Sequence, residues 1–367
     1  MNILHIDLER GWRGGQQQVA YLMHHLRDLG CSALLAGRPG EPITRWAEKA
    51  GWPAIPAVPW PTAAWRVARR ARAESVTIVH AHSSRSHNLG LLLKLLCPGI
   101  SLVVSRRVDF HRRPGILNRW KYRTRLVGHW VAISERVRAV LVDDGVPPER
   151  IAVIHSGIDA SRIEGARPPL DERSRLRNDM GVSNGECLIG SVGALVPHKD
   201  RETLIRAMAL AVQRGLPLKM AIAGEGGQRS ALETLIGQLG LEQRVSLLGQ
   251  RDDVPRLLHL FDLFALSSRE EGLGTSVLDA MAAGLPVIVT EAGGLPEMIR
   301  NRRNGLVVPP ADPAALAEAL VSVVQDASFR ASAGRNNRED VKRFSARSTA
   351  EKTLELYRRV SGETARK

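Results

Sequence analysis

The segment REEGLGTSVLDAM, Arg269 to Met281, sets two acids ahead of two spaced glycines and two hydroxyl residues, with a third acid, Asp279, eight positions after Glu271. The apolar LFALSS that precedes it ends at Ser268 and reads as a strand, and a helix begins near Thr275. Glycine costs backbone entropy, so its use at Gly272 and Gly274, either side of Leu273, points to a backbone that must come close to a ligand. The amides of the helix's first turn, at Thr275 and Ser276, lack internal partners and favour an anion, phosphate above all. Glu271 would repel a bare phosphate and is better suited to accept hydrogen bonds from ligand hydroxyls. Asp279, one turn into the helix, can accept from a second pair. An anion between two hydroxyl-binding acids describes a nucleotide sugar, with diphosphate in the middle, a sugar at one end and ribose at the other. A solvated turn ahead of a capped helix would use the same residues.

Other chemistry-bearing residues stand at strand ends. Gly14 and Gly15 follow the first apolar run and open a helical pattern; such a pair alone is more often a tight turn than a phosphate contact. HAHSSRSH ends another strand and carries His82, and VVSRRVDF ends the next with Arg106, Arg107 and Asp109 clustered. His82 would face a ligand cleft or serve as a satisfied structural histidine. No Asp-any-Asp metal motif is present, since Asp143-Asp144 and Asp252-Asp253 are adjacent pairs, and neither a metal-ligand cluster nor a nucleophile–base pair stands out. No metal and no other cofactor is expected.

These residues need elements to hold them. Short β-branched or apolar runs (NILHID, SALLAG, VTIVHA, SLVVS, WVAIS and IAVIHSG, then CLIGSVG, LKMAIAG, RVSLLG, LFALSS, PVIVT and GLVVPP) alternate with amphipathic stretches such as GGQQQVAYLMHHLRDLG. That alternation predicts α/β architecture with parallel sheets. A chain of 367 residues, 44% of them apolar, is long for one domain. The polar, Pro168-Pro169-containing stretch 157–174 marks a boundary. The expected domains are 1–165 and 166–344, with a C-terminal helix over about 345–367, capped by Ser345, packing back on the first. Ligands of such sheets sit beyond the carboxyl ends of the strands. No run approaches the roughly 18 uncharged apolar residues of a spanning helix, and Met1-Asn2-Ile3 leads directly into a strand. Cys31, Cys97 and Cys187 are scattered and odd in number, reading as reduced thiols in a cytoplasm.

The net charge of +14 is uneven: residues 1–160 hold 23 of the 52 Lys and Arg but only 12 of the 38 acids, and all seven tryptophans fall in the first 130 residues. The run Arg106–Arg125 carries eight cations against one acid, interleaved with Leu117, Trp120 and Tyr122. WPTAAWRVARRAR sets Trp60 and Trp65 near Arg66, Arg69, Arg70 and Arg72. Basic faces with aromatic anchors suit anionic lipid headgroups or a phosphorylated saccharide; a solvated arginine-rich surface is the plainer alternative. A nucleic-acid partner is disfavoured, because no recognisable binding motif accompanies the charge and it leaves the acids of the glycine turn unexplained. A dinucleotide dehydrogenase is disfavoured too, since GWRGGQ is not the G-x-G-x-x-G fingerprint.

SSREEGLGTSVLDAMAAGLPVIVTEAGGLPEMI resembles the donor-site signature of the family-4 retaining glycosyltransferases, which have the GT-B fold: two Rossmann-like, doubly wound parallel-sheet domains facing across a cleft. GWRGGQQQ, VAISERVRAVLVDDGVPPERIAVIHSGID, VGALVPHKD, AGEG and GLVVPP extend the likeness over nearly the whole chain in the family's order. The resemblance implies that Glu271 contacts the donor sugar, that the backbone around Gly272, Leu273, Gly274, Thr275 and Ser276 holds the diphosphate, and that Asp279, where the family has Glu, holds the ribose. Gly15 would border the leaving phosphate, with Gly14, His82, Arg106, Arg107 and Asp109 on the acceptor or cleft side. In VGALVPHKD the family's leaving-group lysine is kept as Lys199, but Ala194 stands where its arginine is expected, and Arg251 or an arginine of the first domain is expected to compensate. Arg107 stands where the family often has a histidine, which leaves the donor sugar open and suggests an anionic sugar or acceptor. The implied reaction is metal-independent hexosyl transfer with retention from a nucleotide-diphosphate sugar to a glycan or lipid-linked glycan, as in lipopolysaccharide core or surface polysaccharide synthesis. The implied location is cytoplasmic and peripheral, on the inner face of the membrane. A sugar-nucleotide epimerase of the same fold is the nearest rival.

Overall fold

The computed structural model describes residues 1–59, 62–111 and 114–362; Trp60, Arg112 and Arg113, and the end of the expected 345–367 helix, lie outside them. The chain divides into two compact units, Met1–Ile158 with the segment from Phe344 onward, and Asp159–Arg343.

The first unit is built on seven parallel strands: β1 (Asn2–Asp7), β2 (Ser32–Gly37), β3 (Ala54–Pro56), β4 (Ile78–Ala81), β5 (Ser101–Arg106), β6 (His129–Ala132) and β7 (Ile151–Val153), in the order β3-β2-β1-β4-β5-β6-β7. The second has six: β8 (Cys187–Val192), β9 (Leu218–Ala223), β10 (Val245–Gly249), β11 (Leu263–Leu266), β12 (Val287–Thr290) and β13 (Gly305–Val308), in the order β10-β9-β8-β11-β12-β13. Both orders reverse direction once, between β1 and β4 and between β8 and β11. At such a switch the loops leaving the carboxyl ends part in opposite directions and open a crevice for a ligand. The central strands β1, β4, β5, β8, β9, β11 and β12 are almost wholly buried because helices cover the sheets, which explains their continuous apolar runs, while the edge strands β7 and β10 are only partly covered. β3 has no counterpart among the sequence runs: its three residues follow Pro53, end at Pro56 and lie at the sheet edge, where proline costs no ladder bond.

The helices that bear on the site are α1 (Gly14–Asp28), α2 (Thr62–Ala73), α3 (Ile116–Arg123), α4 (Ala160–Glu164), α5 (Arg201–Val212), α6 (Thr275–Ala283) and α7 (Ala346–Val360). In the first unit Ile3, Val19, Met23, Leu26, Ile43, Ile78 and Val103 form one core, joined from α7 by Ala350, Leu354 and Tyr357. Ser345 caps α7 by accepting from the Ser348 amide. In the second, Ile189, Leu204, Met208, Ile222, Leu263, Ile288 and Leu320 pack together.

The units part between Ile158 and Asp159, seven residues before the 165/166 boundary expected from composition. Proline and polarity mark the loop that follows α4, but α4 already belongs to the second unit. Asp159 caps it, Ile163 is fully buried, and the Ile163 carbonyl meets His259 Nε2 at 2.7 Å.

Candidate functional site

At the carboxyl end of β8 the chain turns through Gly193, whose φ of +146° suits glycine. It then passes a short turn, Pro197–Lys199, into α5. Asp200 caps α5 from a left-handed conformation, φ 45°, accepting from the Thr203 hydroxyl at 2.8 Å. Its carboxylate also accepts from Arg269 Nε at 2.7 Å. The Arg269 amide donates to the His198 carbonyl at 2.8 Å, and the Ser267 hydroxyl to the Asp200 carbonyl at 2.7 Å. The turn carrying Lys199 is thus fastened to the loop leaving β11, across the switch point.

That fastening brings together two residues 72 apart in sequence: the Lys199 ammonium donates to the Glu271 carboxylate, both side chains being mostly buried. Ser268 Oγ donates to the same carboxylate at 3.3 Å, and the Glu271 carbonyl accepts from the Gly294 amide at 3.0 Å, drawing the glycine pair after β12 against the loop. Gly272 and Leu273 are buried. Gly274 immediately precedes α6 at φ +87°, and a Cβ there would sit 2.5 Å from Leu295 Cδ2, so both conformation and space demand glycine. No side chain caps α6, whose first residues Thr275 and Ser276 are half-buried. A helix start of this kind favours an anion, and the Lys199–Glu271 pair stands beside it. Asp279, on the next turn, has no hydrogen bond to its carboxylate among the described residues. Burial raises it to about 6, with Arg162 of α4 pulling the other way.

Arg251 does not join this group. On the exposed loop after β10 it is held bidentately by Asp253, Nε to Oδ1 at 2.8 Å and NH2 to Oδ2 at 2.7 Å. That pairing, and no contact with the turn at Ala194, is what occupies Arg251 among the described residues. The cation found by the site is Arg201, overlooked in the sequence because an arginine at a helix start reads as surface; it is fully buried.

In the first unit a second group gathers at the β1/β4 switch. His82, just past β4, is buried with Nε2 at 2.9 Å from His5 Nδ1 and Nδ1 at 3.4 Å from Arg107 NH2. Arg107 lies along Gly15, where a Cβ would meet its Cδ at 3.9 Å, and points NH1 towards Ser156 Oγ at 3.5 Å. Burial lowers Arg107 to about 10, opposed by Asp7, whose carboxylate is held by the Gln16 amide and the Glu9 backbone. Burial first, and charged neighbours second, drive His5 down to about 3 and hold His80 and His82 well below the usual histidine range, so all three rings are neutral. Their nitrogens come within 4.8 Å of one another, as a metal trio would. Yet His80 is already engaged by Tyr357 and Ser105, at 2.5 and 2.7 Å, and Arg107 abuts His82. Neutral hydrogen-bonded rings beside a guanidinium suit a polar ligand better than a second cation.

Gly14 is exposed at the start of α1, and Asp109 is buried. Arg106 departs from the expected cleft cluster. Adjacent strand residues face opposite ways, and Arg106 turns to α3, donating to Tyr122 Oη and the Phe110 carbonyl, and through Nε to the Val108 carbonyl at 3.2 Å. It braces the loop that follows β5. Lys121 is likewise buried, donating to the Ser84 carbonyl at 2.8 Å. The basic run 106–125 is therefore part scaffold and part surface.

The chain matches two families of known proteins: Glycosyltransferase Family 4 over residues 12–162 and Glycosyl transferases group 1 over residues 172–340. It is 30% identical over 296 residues to an uncharacterized glycosyltransferase of Methanocaldococcus jannaschii, covering 77% of this chain and 75% of that one. It is 29% identical to the D-inositol 3-phosphate glycosyltransferase of Saccharomonospora viridis over 64% of this chain and 58% of that enzyme. Among solved structures, Anabaena HepE in complex with UDP-glucose superposes with a TM-score of 0.84 at 23% identity, covering 97% of this chain and 99% of that one. Likeness on this scale, in both halves and in family order, settles membership: the chain belongs to the family-4, group 1 glycosyltransferases and has the GT-B fold.

Proposed function

We propose that the protein is a retaining, metal-independent hexosyltransferase that takes its sugar from a uridine-diphosphate sugar. The observation that carries this reading is the Lys199–Glu271 pair at the uncapped start of α6. When a donor binds, Lys199 exchanges the Glu271 carboxylate for the diphosphate, which the Thr275 and Ser276 amides also meet. Glu271, released, accepts from hydroxyls of the sugar, and Asp279 accepts from the ribose. The acceptor oxygen attacks the anomeric carbon on the face from which the diphosphate departs, and a leaving phosphate oxygen takes its proton. Positioning and stabilisation of the leaving charge then supply the catalysis. Gly15 borders the leaving phosphate, and Gly14, His82 and Arg107 of the first unit receive the acceptor, a phosphorylated or lipid-linked anionic glycan of lipopolysaccharide-core or surface-polysaccharide type. The HepE complex supports uridine as the base, and the inositol-phosphate enzyme supports a phosphorylated acceptor.

The test is turnover of UDP-sugars with phosphorylated and lipid-linked glycan acceptors, with the product's anomeric configuration read by NMR. Retained configuration and rates unchanged by EDTA are expected. Inversion, loss of turnover on chelation, or conversion of the UDP-sugar without any acceptor would overturn the reading, the last in favour of an epimerase.

A further inference from the structure

Arg201 is the first residue of α5, and its side chain is fully buried. One guanidinium nitrogen, NH1, donates to Ser191 Oγ at 2.6 Å, and Ser191 in turn donates to the Ala265 carbonyl. That anchors the group between the ends of β8 and β11. The other two nitrogens, Nε and NH2, have no hydrogen-bond partner among the described residues. Burial lowers Arg201 to about 10, opposed by Glu271, so it stays cationic at neutral pH. A buried guanidinium with unmade hydrogen bonds is costly, and such a cost is tolerated chiefly where function needs it.

The direction of the unpartnered edge says what that need is. NH2 lies 2.9 Å from the point a Cβ on Gly193 would occupy, and Lys199 Cε lies 3.9 Å from the same point. The next residue is Ala194, the exposed position at which the resemblance calls for an arginine. Two cations, one from the turn and one from beneath it, thus converge on the backbone of Gly193, with Glu271 balancing both.

We propose that Arg201 is a positioning residue for the leaving diphosphate: the positive charge absent from residue 194 is delivered instead from below the loop, through the gap left by the missing side chain of Gly193. This rests on the donor reading given above. Bound diphosphate would draw on the field of the unpartnered edge, and Ser191 would keep the guanidinium from turning away.

The experiment compares Arg201→Met, Arg201→Lys and the double variant Ala194→Arg/Arg201→Met in the full chain. Dissociation constants for UDP are measured by calorimetry and for uridine by ligand-observed NMR, with melting temperatures alongside. Arg201→Met is expected to weaken UDP about 10- to 100-fold while leaving uridine unchanged. Arg201→Lys is expected to retain most of the affinity, and Ala194→Arg to restore UDP binding to the Met variant, which a purely structural role for Arg201 would not allow. Equal loss of UDP and uridine, unchanged UDP affinity in the folded Met variant, or failure of Ala194→Arg to rescue would overturn the assignment. Should Arg201→Met not fold, Arg201→Lys with UDP affinity unchanged on adding Ala194→Arg to wild type supports a satisfied diphosphate site, and a large gain from that addition overturns it. Wild-type protein that binds no nucleoside diphosphate at all defeats the donor reading itself.

Discussion

At the scale of residues, the ion pair between Lys199 and Glu271 makes two functions separable. Glu271→Ala removes the hydroxyl acceptor and also frees Lys199. The expected result is kcat lower by about 100- to 1,000-fold, with UDP affinity equal to or tighter than wild type by calorimetry; parallel loss of UDP binding would sink the assigned roles. Asp279 makes a pH argument. Its carboxyl, raised to about 6, accepts best from ribose hydroxyls when ionised. Affinity for UDP-glucose, whose diphosphate diester does not titrate near neutrality, should therefore be full at pH 7.5 and fall as pH drops through about 6, with Asp279→Asn flat across the range. The same burial opposes folding. Free aspartate ionises near pH ~4, so the cost is absent below that, grows between about 4 and 6, and is complete above. Asp279→Asn should raise the melting temperature by a few degrees at pH 7.5 and not at pH 4, a difference scanning calorimetry can read. The meeting of Glu271 and Lys199 was legible because each lies inside a contiguous, patterned segment. Arg201 and Arg106 were not: their roles are set by which way a side chain turns and what is already bonded there.

At the scale of elements, the start of α6 is the feature on which the proposed donor binding depends, and Gly274 sets it. Alanine there must adopt a left-handed backbone, costing about 1–2 kcal/mol, and its Cβ would collide with Leu295 of the loop after β12. Relief requires that loop or the helix to shift, and either movement disturbs the amides of Thr275 and Ser276. Gly274→Ala should melt a few degrees lower while keeping its far-ultraviolet circular dichroism at 25 °C, and should lose the thermal upshift that UDP gives the wild type. A full upshift in the variant would show that the helix start does not hold the diphosphate. The strands of both sheets were readable because buried parallel strands demand nearly unbroken apolar runs. β3 lacks such a run, and α4 was assigned to the wrong side of the boundary because composition marks where a chain is loose, not where the next core begins; Ile163 decides that.

At the scale of the whole molecule, the excess positive charge and the tryptophans of the first 160 residues suggest one anionic surface partner, and the structure divides that signal. Trp52 and Trp130 are core residues, 7% and 2% exposed, and no sequence pattern separates them from Trp65 and Trp120, at 66% and 48%. What stands outward is narrower than the composition implied. On α2, Trp65 lies with Arg66, Arg69, Arg70 and Arg72; on α3, Ile116 and Leu117, 90% and 76% exposed, lie with Arg119, Trp120 and Arg123. No helix among the described residues is long and apolar enough to cross a membrane, so contact of this kind would be interfacial, with apolar tips among the acyl chains and arginines at the headgroups. Sedimentation with vesicles containing phosphatidylglycerol should then pull down the protein at low salt, less so as salt rises, and not with purely zwitterionic vesicles. Ile116→Glu/Leu117→Glu should abolish that binding with an unchanged melting temperature, because neither side chain contributes to the core. Binding that ignores both lipid charge and the double substitution would assign the exposed face of α3 to a protein partner instead, and with it the acceptor would no longer need to be delivered at a membrane surface.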